Sequence, residues 1–285
     1  MLFRSSDLPA PPASFVGLWN EEEFSYLFFT LSEDRYVAEL VRDLDAFVSS
    51  RHEMKYEDWQ TGLPPNGLVV GGVCFVPHDH PNPPPGAVFL DPSVVFGDGN
   101  HPTTLSCIRF LKEICDSYRV DSLLDLGTGT GILALAGASM GIKRIVAVDK
   151  NRLAAATARE NVEANSLCSV VEIHEGEARV FMDRPFDVVT ANLPFQVLRD
   201  LAALRDAARH GAWIVSGINE KQAGVLQELF LEQGYEIAAS HPDLPWVTFV
   251  AMKGSLLQLI APGNRIPGRL DEIEEVGAVI DDHDT

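Results

Sequence analysis

From Ser122 to Met252 the apolar and polar positions of the chain change period in regular succession. The apolar run SLLDL (122–126) predicts a short strand, ILALAGASM (132–140) a helix, and RIVAVD (144–149), rich in β-branched residues, a second strand. The series continues with a helix in RLAAATARENVEAN, strands at 169–174 and 186–192, and a helix from about Leu198 to Ala208. A strand at 212–218 and a helix from about Glu220 to Gln233 follow. YEIAAS and WVTFVAM close the series as two strands with no helix between them, so the last must return antiparallel. Strands that are apolar throughout and alternate with helices predict a mostly parallel sheet covered on both faces.

The flanking segments lack this rhythm. EEFSYLFFTL predicts a strand, and Ser32 can cap a helix with Glu33 and Asp34 in its first turn and Val37, Leu40, Val41, Leu44, Phe47 and Val48 along one face. GLVVGGVCFV (67–76) predicts one further strand, and the proline-rich stretch 77–87 an extended, stiff linker. The expected organisation is a small α/β domain over 1–76, the linker 77–87, an α/β domain over 88–253 and an acidic tail over 254–285 with at most one short helix.

With 46% hydrophobic residues, a chain of 285 residues can bury a substantial core. No stretch approaches the roughly 20 apolar residues of a spanning helix, and the N-terminus carries no apolar signal run. Four cysteines without C-x-x-C spacing fit a reducing cytoplasm. The net charge of −19 is spread over the chain: the first 85 residues carry 5 Lys/Arg against 13 Asp/Glu, and the last 32 carry 2 against 7. Direct nucleic-acid binding through phosphates needs a basic surface that none of these parts supplies, so a basic protein partner fits better. Excess acid that only keeps the chain soluble is the plainer alternative.

In an open parallel sheet the ligand sits at the carboxyl ends of the strands. There, DLGTGTG places Asp125, Gly127, Gly129 and Gly131 between the first strand and its helix, and Asp149 ends the second strand. The glycines let the backbone approach a ligand, the helix N-terminus favours a negative group, and Asp149 can accept from both hydroxyls of a ribose. A dinucleotide and an adenosyl sulfonium cofactor both suit this pattern. The third glycine comes one residue earlier than in G-x-G-x-x-G, and Asp125 would repel a phosphate but suit an ammonium group.

Together with FGDGNHPTT (96–104), the acid at 149 and NLPF (192–195), these residues resemble a class I S-adenosylmethionine-dependent methyltransferase, and within that superfamily the PrmA-type enzymes that methylate amino groups of a large-subunit ribosomal protein. The resemblance spans roughly residues 88–253. It implies a Rossmann-like seven-stranded sheet with an antiparallel last strand, a small N-terminal α/β domain that docks the protein substrate, and S-adenosyl-L-methionine as cofactor. Phe96, Thr103, Thr104, Asp125, Gly127, Gly129, Gly131, Asp149, Glu177 and Asn192 would line the cofactor, with Thr103 or Thr104 near its methionine end and Glu175 or Glu177 near adenine. A solvated turn is the plainer reading of the two glutamates.

Asn192, Leu193, Pro194 and Phe195 would form the catalytic end of the site. The Asn192 side-chain carbonyl and the Leu193 main-chain carbonyl accept the hydrogens of an amine, Pro194 holds Leu193 extended, and Phe195 walls the pocket. His101 has no second ligand at metal spacing and is expected to orient its loop. The sequence departs from the family pattern at Asp98, where a small or hydroxyl residue is common, and in the Pro-Phe after Leu193. Two rival classes are a nicotinamide-dependent oxidoreductase and a non-catalytic adenosylmethionine-binding regulator. A methyltransferase of the same fold acting on another nitrogen is the nearer alternative.

Overall fold

A computed structural model describes residues 8–21, 24–29, 31–51, 63–64, 66–93, 95–253 and 258–259. Strands β1 (Phe15–Glu21) and β2 (Phe24–Phe29) form an antiparallel hairpin, followed by helix α1 (Asp34–Asp43). The first of these strands was not expected from the sequence. Glu33, not Ser32, is the N-cap of α1, and its side chain makes no cap bond. The helix stops at Asp43, and Asp45 has φ +48, so Phe47 and Val48 leave the helical face and stand 82% and 54% exposed.

The expected single strand at 67–76 is two, β3 (Leu68–Val70) and β4 (Val73–Val76), paired antiparallel. Gly71 and Gly72 take φ +56 and +74, and such left-handed pairs close tight hairpins whose twist matches their strands. The proline-rich stretch is not an extended spacer. It folds through turns closed by His80 N to Pro77 O at 3.1 Å and Ala87 N to Pro84 O at 3.0 Å, and brings β5 (Val88–Phe89) parallel to β4. The three-stranded sheet thus crosses residues 76–77, and its Phe75 shares a core cluster with Ile108 and Leu111 of helix α2 (Pro102–Ser117).

Beyond α2, β6 (Tyr118–Arg119) leads into the alternating series: β7 (Ser122–Leu126), α3 (Ile132–Ser139), β8 (Arg144–Asp149), α4 (Arg152–Ala164), β9 (Val171–Glu175) and β10 (Val188–Asn192). Then come α5 (Phe195–Ala202), β11 (Ala212–Ile218), α6 (Glu220–Glu232), β12 (Glu236–Asp243) and β13 (Trp246–Met252). Helix α5 starts three residues earlier than its periodicity suggested, because Pro194 serves as its N-cap with φ −57, and a 3₁₀ turn (Arg205–Arg209) replaces its second half.

Seven strands form one sheet in the order β12-β13-β11-β10-β7-β8-β9. The five from β11 to β9 are parallel, and β13, the last in sequence, runs antiparallel to both its neighbours. Every residue of β7 is buried, which explains why its sequence is apolar without alternation. Two core clusters cover the sheet's faces, one under α2 and α3 and one under α5 and α6. Of the expected tail, Gln258–Leu259 form β14, paired antiparallel with β6, and the short helix expected there lies outside the described residues.

Candidate functional site

The carboxyl ends of β7, β8 and β10 meet where the connections diverge, with the FGDGNHPTT loop laid over them. The backbone turn after β7 is held to β8 by Gly127 N and Thr128 N, which donate to Val148 O at 2.8 and 3.0 Å. Thr130 ties the overlying loop down: its N donates to Phe96 O at 3.2 Å and its Oγ1 to Gly97 O at 2.7 Å. A Cβ on Gly129 would lie 2.4 Å from Phe96 O, so glycine is required where the two loops touch.

Asp149 presents both oxygens at this junction. Gly129 N donates to Oδ2 at 3.0 Å and Asn151 N to Oδ1 at 2.8 Å, which fixes the carboxylate and leaves each oxygen a further lone pair. Burial raises its pKa, against the two backbone bonds and nearby Lys150. Asp125 is different. It is wholly buried beneath the turn, and its oxygens accept from Thr128 Oγ1 at 2.6 Å and Thr190 Oγ1 at 2.7 Å. Burial dominates over these bonds and pushes its pKa up to about 6, with Asp149 adding to the rise. The carboxylate thus braces β7, its turn and β10 from below.

The HPTT segment begins α2. His101 is its N-cap, with Nδ1 accepting from Thr103 N, and Pro102 occupies the first turn as expected. Thr103 and Thr104 are both buried. Thr103 Oγ1 lies 2.7 Å from His101 Nδ1 and receives Asn192 Nδ2 at 2.9 Å. The His101 ring stands edge-on to Phe96 and Trp246, with centroids 5.2 and 5.5 Å apart. Asp98 turns back on its own loop, accepting from Asn100 N at 3.0 Å and Asn100 Nδ2 at 3.3 Å.

At the end of β10, Leu193 N donates to Ser216 O at 3.3 Å. A Cβ on Gly217 would lie 2.9 Å from Leu193 O, 3.0 Å from Asn192 Oδ1 and 3.2 Å from Leu193 N, so glycine is required where the end of β10 packs on β11. The two oxygens expected to receive an amine thus lie together against its backbone. Leu193 covers Gly127, where a Cβ would meet its Cδ2 at 2.2 Å. Pro194 is exposed at the start of α5, and Phe195 is half-buried against the core cluster beneath that helix. Gly131 is the N-cap of α3. Glu175 ends β9 opposite Asp149, and Glu177, exposed, begins a 3₁₀ turn after Gly176, whose N donates to Asp149 O at 2.9 Å. The expected residues thus fall along one edge of the sheet, with Glu177 at its rim.

Two supporting residues escaped the sequence reading, Asn161 and Asn165, one turn apart on α4. Asn161 Nδ2 donates to both Asp91 O and Thr130 O, and Asn165 exchanges two bonds with the backbone of Phe89, so α4 clamps the segment that enters the FGDGNHPTT loop. The i, i+4 asparagines in ENVEAN were the available signal.

The family model for ribosomal protein L11 methyltransferase (PrmA) matches residues 29–254. The ribosomal protein L11 methyltransferase of Desulforamulus reducens is 35% identical over 165 residues, 57% of this chain and 53% of that protein. The one from Staphylococcus saprophyticus is 34% identical over 168 residues, 58% and 53% of the two chains. The chain thus spans about half the length of the curated relatives it matches. The crystal structure of a ribosomal protein L11 methylase from Lactobacillus delbrueckii subsp. bulgaricus shares the fold, with a TM-score of 0.56 and 24% identity over 64% of this chain and 93% of that one. The FGDGNHPTT loop, the glycine turn, Asp149 and Asn192 all lie within the matched span, and the chain belongs to the ribosomal protein L11 methyltransferase (PrmA) family.

Proposed function

We propose that this protein transfers a methyl group from S-adenosyl-L-methionine to an amino group, of lysine or an N-terminus, on a basic protein, with a large-subunit ribosomal protein as the substrate its relatives' names suggest. The observation that carries this reading is that Leu193 O and Asn192 Oδ1 lie together at the end of β10, beside the glycine turn that Leu193 covers at Gly127. Two neutral acceptors so placed suit a nitrogen that must lose its proton yet keep its lone pair free.

The residues present fit the cofactor. Asp149, held by two backbone N–H groups at the end of β8, has lone pairs left for a ribose beside the glycine turn. When bound, the cofactor supplies a methyl group on positively charged sulfur. The protein's part is orientation and exclusion of water, so no strong base is required. A lysine must still arrive neutral, and at pH 7 this costs about 5 kcal/mol from its unperturbed pKa of ~10.4. Burial beside Phe195 and Leu193 lowers that cost by disfavouring the charged form.

Substrate docking is assigned to the N-terminal module ahead of β3, because β3 and β4 pair with β5 and pack into the core under α2. Its excess of acid complements a basic protein. A cytoplasmic setting belongs to the same proposal; no helix among the described residues is long and apolar enough to cross a membrane.

Incubation with methyl-labelled cofactor and a ribosomal protein fraction tests the reading. A labelled band of one size, lost with Asp149→Ala, is expected. Binding of the cofactor without transfer to any fraction would favour a non-catalytic regulator, and binding of a nicotinamide dinucleotide instead would overturn the cofactor assignment.

A further inference from the structure

Resting on the assignment of Asn192 as the amine's acceptor, we propose that His101 is a positioning residue: the bare Nδ1 of its neutral ring sets the direction of the Thr103 hydroxyl, and that hydroxyl sets which end of the Asn192 carboxamide faces the substrate. Thr103 N donates to His101 Nδ1 at 3.4 Å, so this nitrogen carries a lone pair and the ring proton sits on Nε2. The Thr103 hydroxyl, 2.7 Å from the same nitrogen, must then give its only hydrogen to it. What it offers Asn192 is lone pairs alone, and it accepts from Nδ2 at 2.9 Å. The oxygen of Asn192 is thereby turned the other way, to the side next to Gly217 where Leu193 O also lies. An amide's two ends are nearly isosteric, and packing alone cannot choose between them. The hydrogen-bond chain can.

Protonation reverses every link. An Nδ1–H would donate to Thr103 Oγ1, the hydroxyl hydrogen would swing to Asn192, and the favoured amide would present its NH₂ to the incoming nitrogen. An NH₂ donor there would occupy the lone pair the methyl group needs. The charged groups that face the ring are Asp98 from its own loop and Asp243 from β12, and both favour the imidazolium. Burial beside Phe96 and Trp246 outweighs them and keeps the ring neutral near pH 7.

The test combines ¹⁵N NMR of the full chain without ligands and turnover on the ribosomal protein fraction at saturating cofactor. The histidine shifts should report an unprotonated Nδ1 at pH 7.5, and the Asn192 side-chain amide signals should move as His101 titrates. His101→Ala should lower kcat roughly 10- to 100-fold, the scale expected of a misoriented contact, with cofactor affinity changed less than about threefold. His101→Asn, whose oxygen can accept both Thr103 hydrogens, should recover most of that loss and remove the His101 limb from the pH profile. In an Asn192→Asp background, where both side-chain oxygens accept, adding His101→Ala should cost less than about threefold, a strong departure from additivity.

A proton on Nδ1 at pH 7.5, or an equal effect of His101→Ala in both backgrounds, would overturn the proposal. So would His101→Asn performing no better than His101→Ala. If Asn192→Ala itself spares kcat, the amine-acceptor reading falls instead, and the two failures are separate.

Discussion

Asn192 donates its side-chain amide to the Thr103 hydroxyl at 2.9 Å, joining the end of β10 to the first turn of α2 across 89 residues of chain. The two motifs that looked independent in the sequence are thus one device. One half comes from the loop before the nucleotide-type fold, the other from its fourth parallel strand.

Asn192→Ala removes one of the two neighbouring acceptors while leaving the glycine turn and Asp149 untouched. Turnover should fall on the order of 100-fold, with cofactor affinity within about threefold of wild type. Steady-state kinetics and calorimetric titration of the cofactor separate the two. Lost binding with residual catalysis preserved would show that Asn192 serves the cofactor.

Gly217→Ala would place a methyl group 2.9 Å from Leu193 O and 3.0 Å from Asn192 Oδ1, at a residue whose φ is +83. Left-handed backbone costs a non-glycine residue roughly 1–2 kcal/mol, so the melting temperature should drop by a few degrees. Turnover should drop much further than stability alone explains, because the acceptor oxygens must move apart. A variant with lower melting temperature and unchanged kcat would remove Gly217 from the site.

Asp149→Ala strips the hydrogen-bond partner from Gly129 N and Asn151 N and removes the carboxylate assigned to the ribose. Hydrogen bonds to a charged group contribute about 1.5–3 kcal/mol each, so cofactor affinity should weaken by at least 10-fold. Equilibrium dialysis with labelled cofactor reads this directly. Unchanged affinity would place the ribose elsewhere.

Two buried groups titrate in opposite senses between about pH 4 and pH 6. Asp125, pushed up to about 6 by burial, binds a proton more readily in the folded chain, so its contribution to stability falls as pH rises through this window. His210, wholly buried between Phe186 and Trp213, is lowered to about 4 by burial, so its contribution falls as pH drops from ~6.5 toward 4. The two slopes oppose each other in wild type. Asp125→Asn should expose the acid-side loss from His210, and His210→Phe should expose the stabilisation on acidification from Asp125. Urea denaturation at half-unit pH steps reads both; identical pH profiles for wild type and variants would show that neither group is perturbed by folding.

The alternating series from β7 to β13 was legible because each strand's period-2 or wholly apolar run is a local property, enforced by burial on one or both faces. Strands β7, β8, β11 and β13 lie where their apolar runs placed them. Errors fell where the decisive interaction was distant. The proline-rich stretch reads as a rod, yet its turns carry β5 to a seat alongside β4, where Asn165 of α4 bonds the Phe89 backbone. The strand at 67–76 divides at Gly71–Gly72, because a glycine pair permits a turn that apolar content does not reveal.

By itself the sequence determined the succession of strands and helices and the glycine turn with its distal Asp149. These follow from local periodicity and from spacing along consecutive strands. Only the tertiary structure decided that Asp125 lies buried under the turn, that Thr103 faces His101 and Asn192, and that Leu193 O and Asn192 Oδ1 pack against Gly217 where no side chain fits. The physical reason is directional. A hydrogen bond or a missing Cβ acts between atoms brought together by the crossovers of the fold, and linear spacing carries no information about which way a side chain points when it arrives.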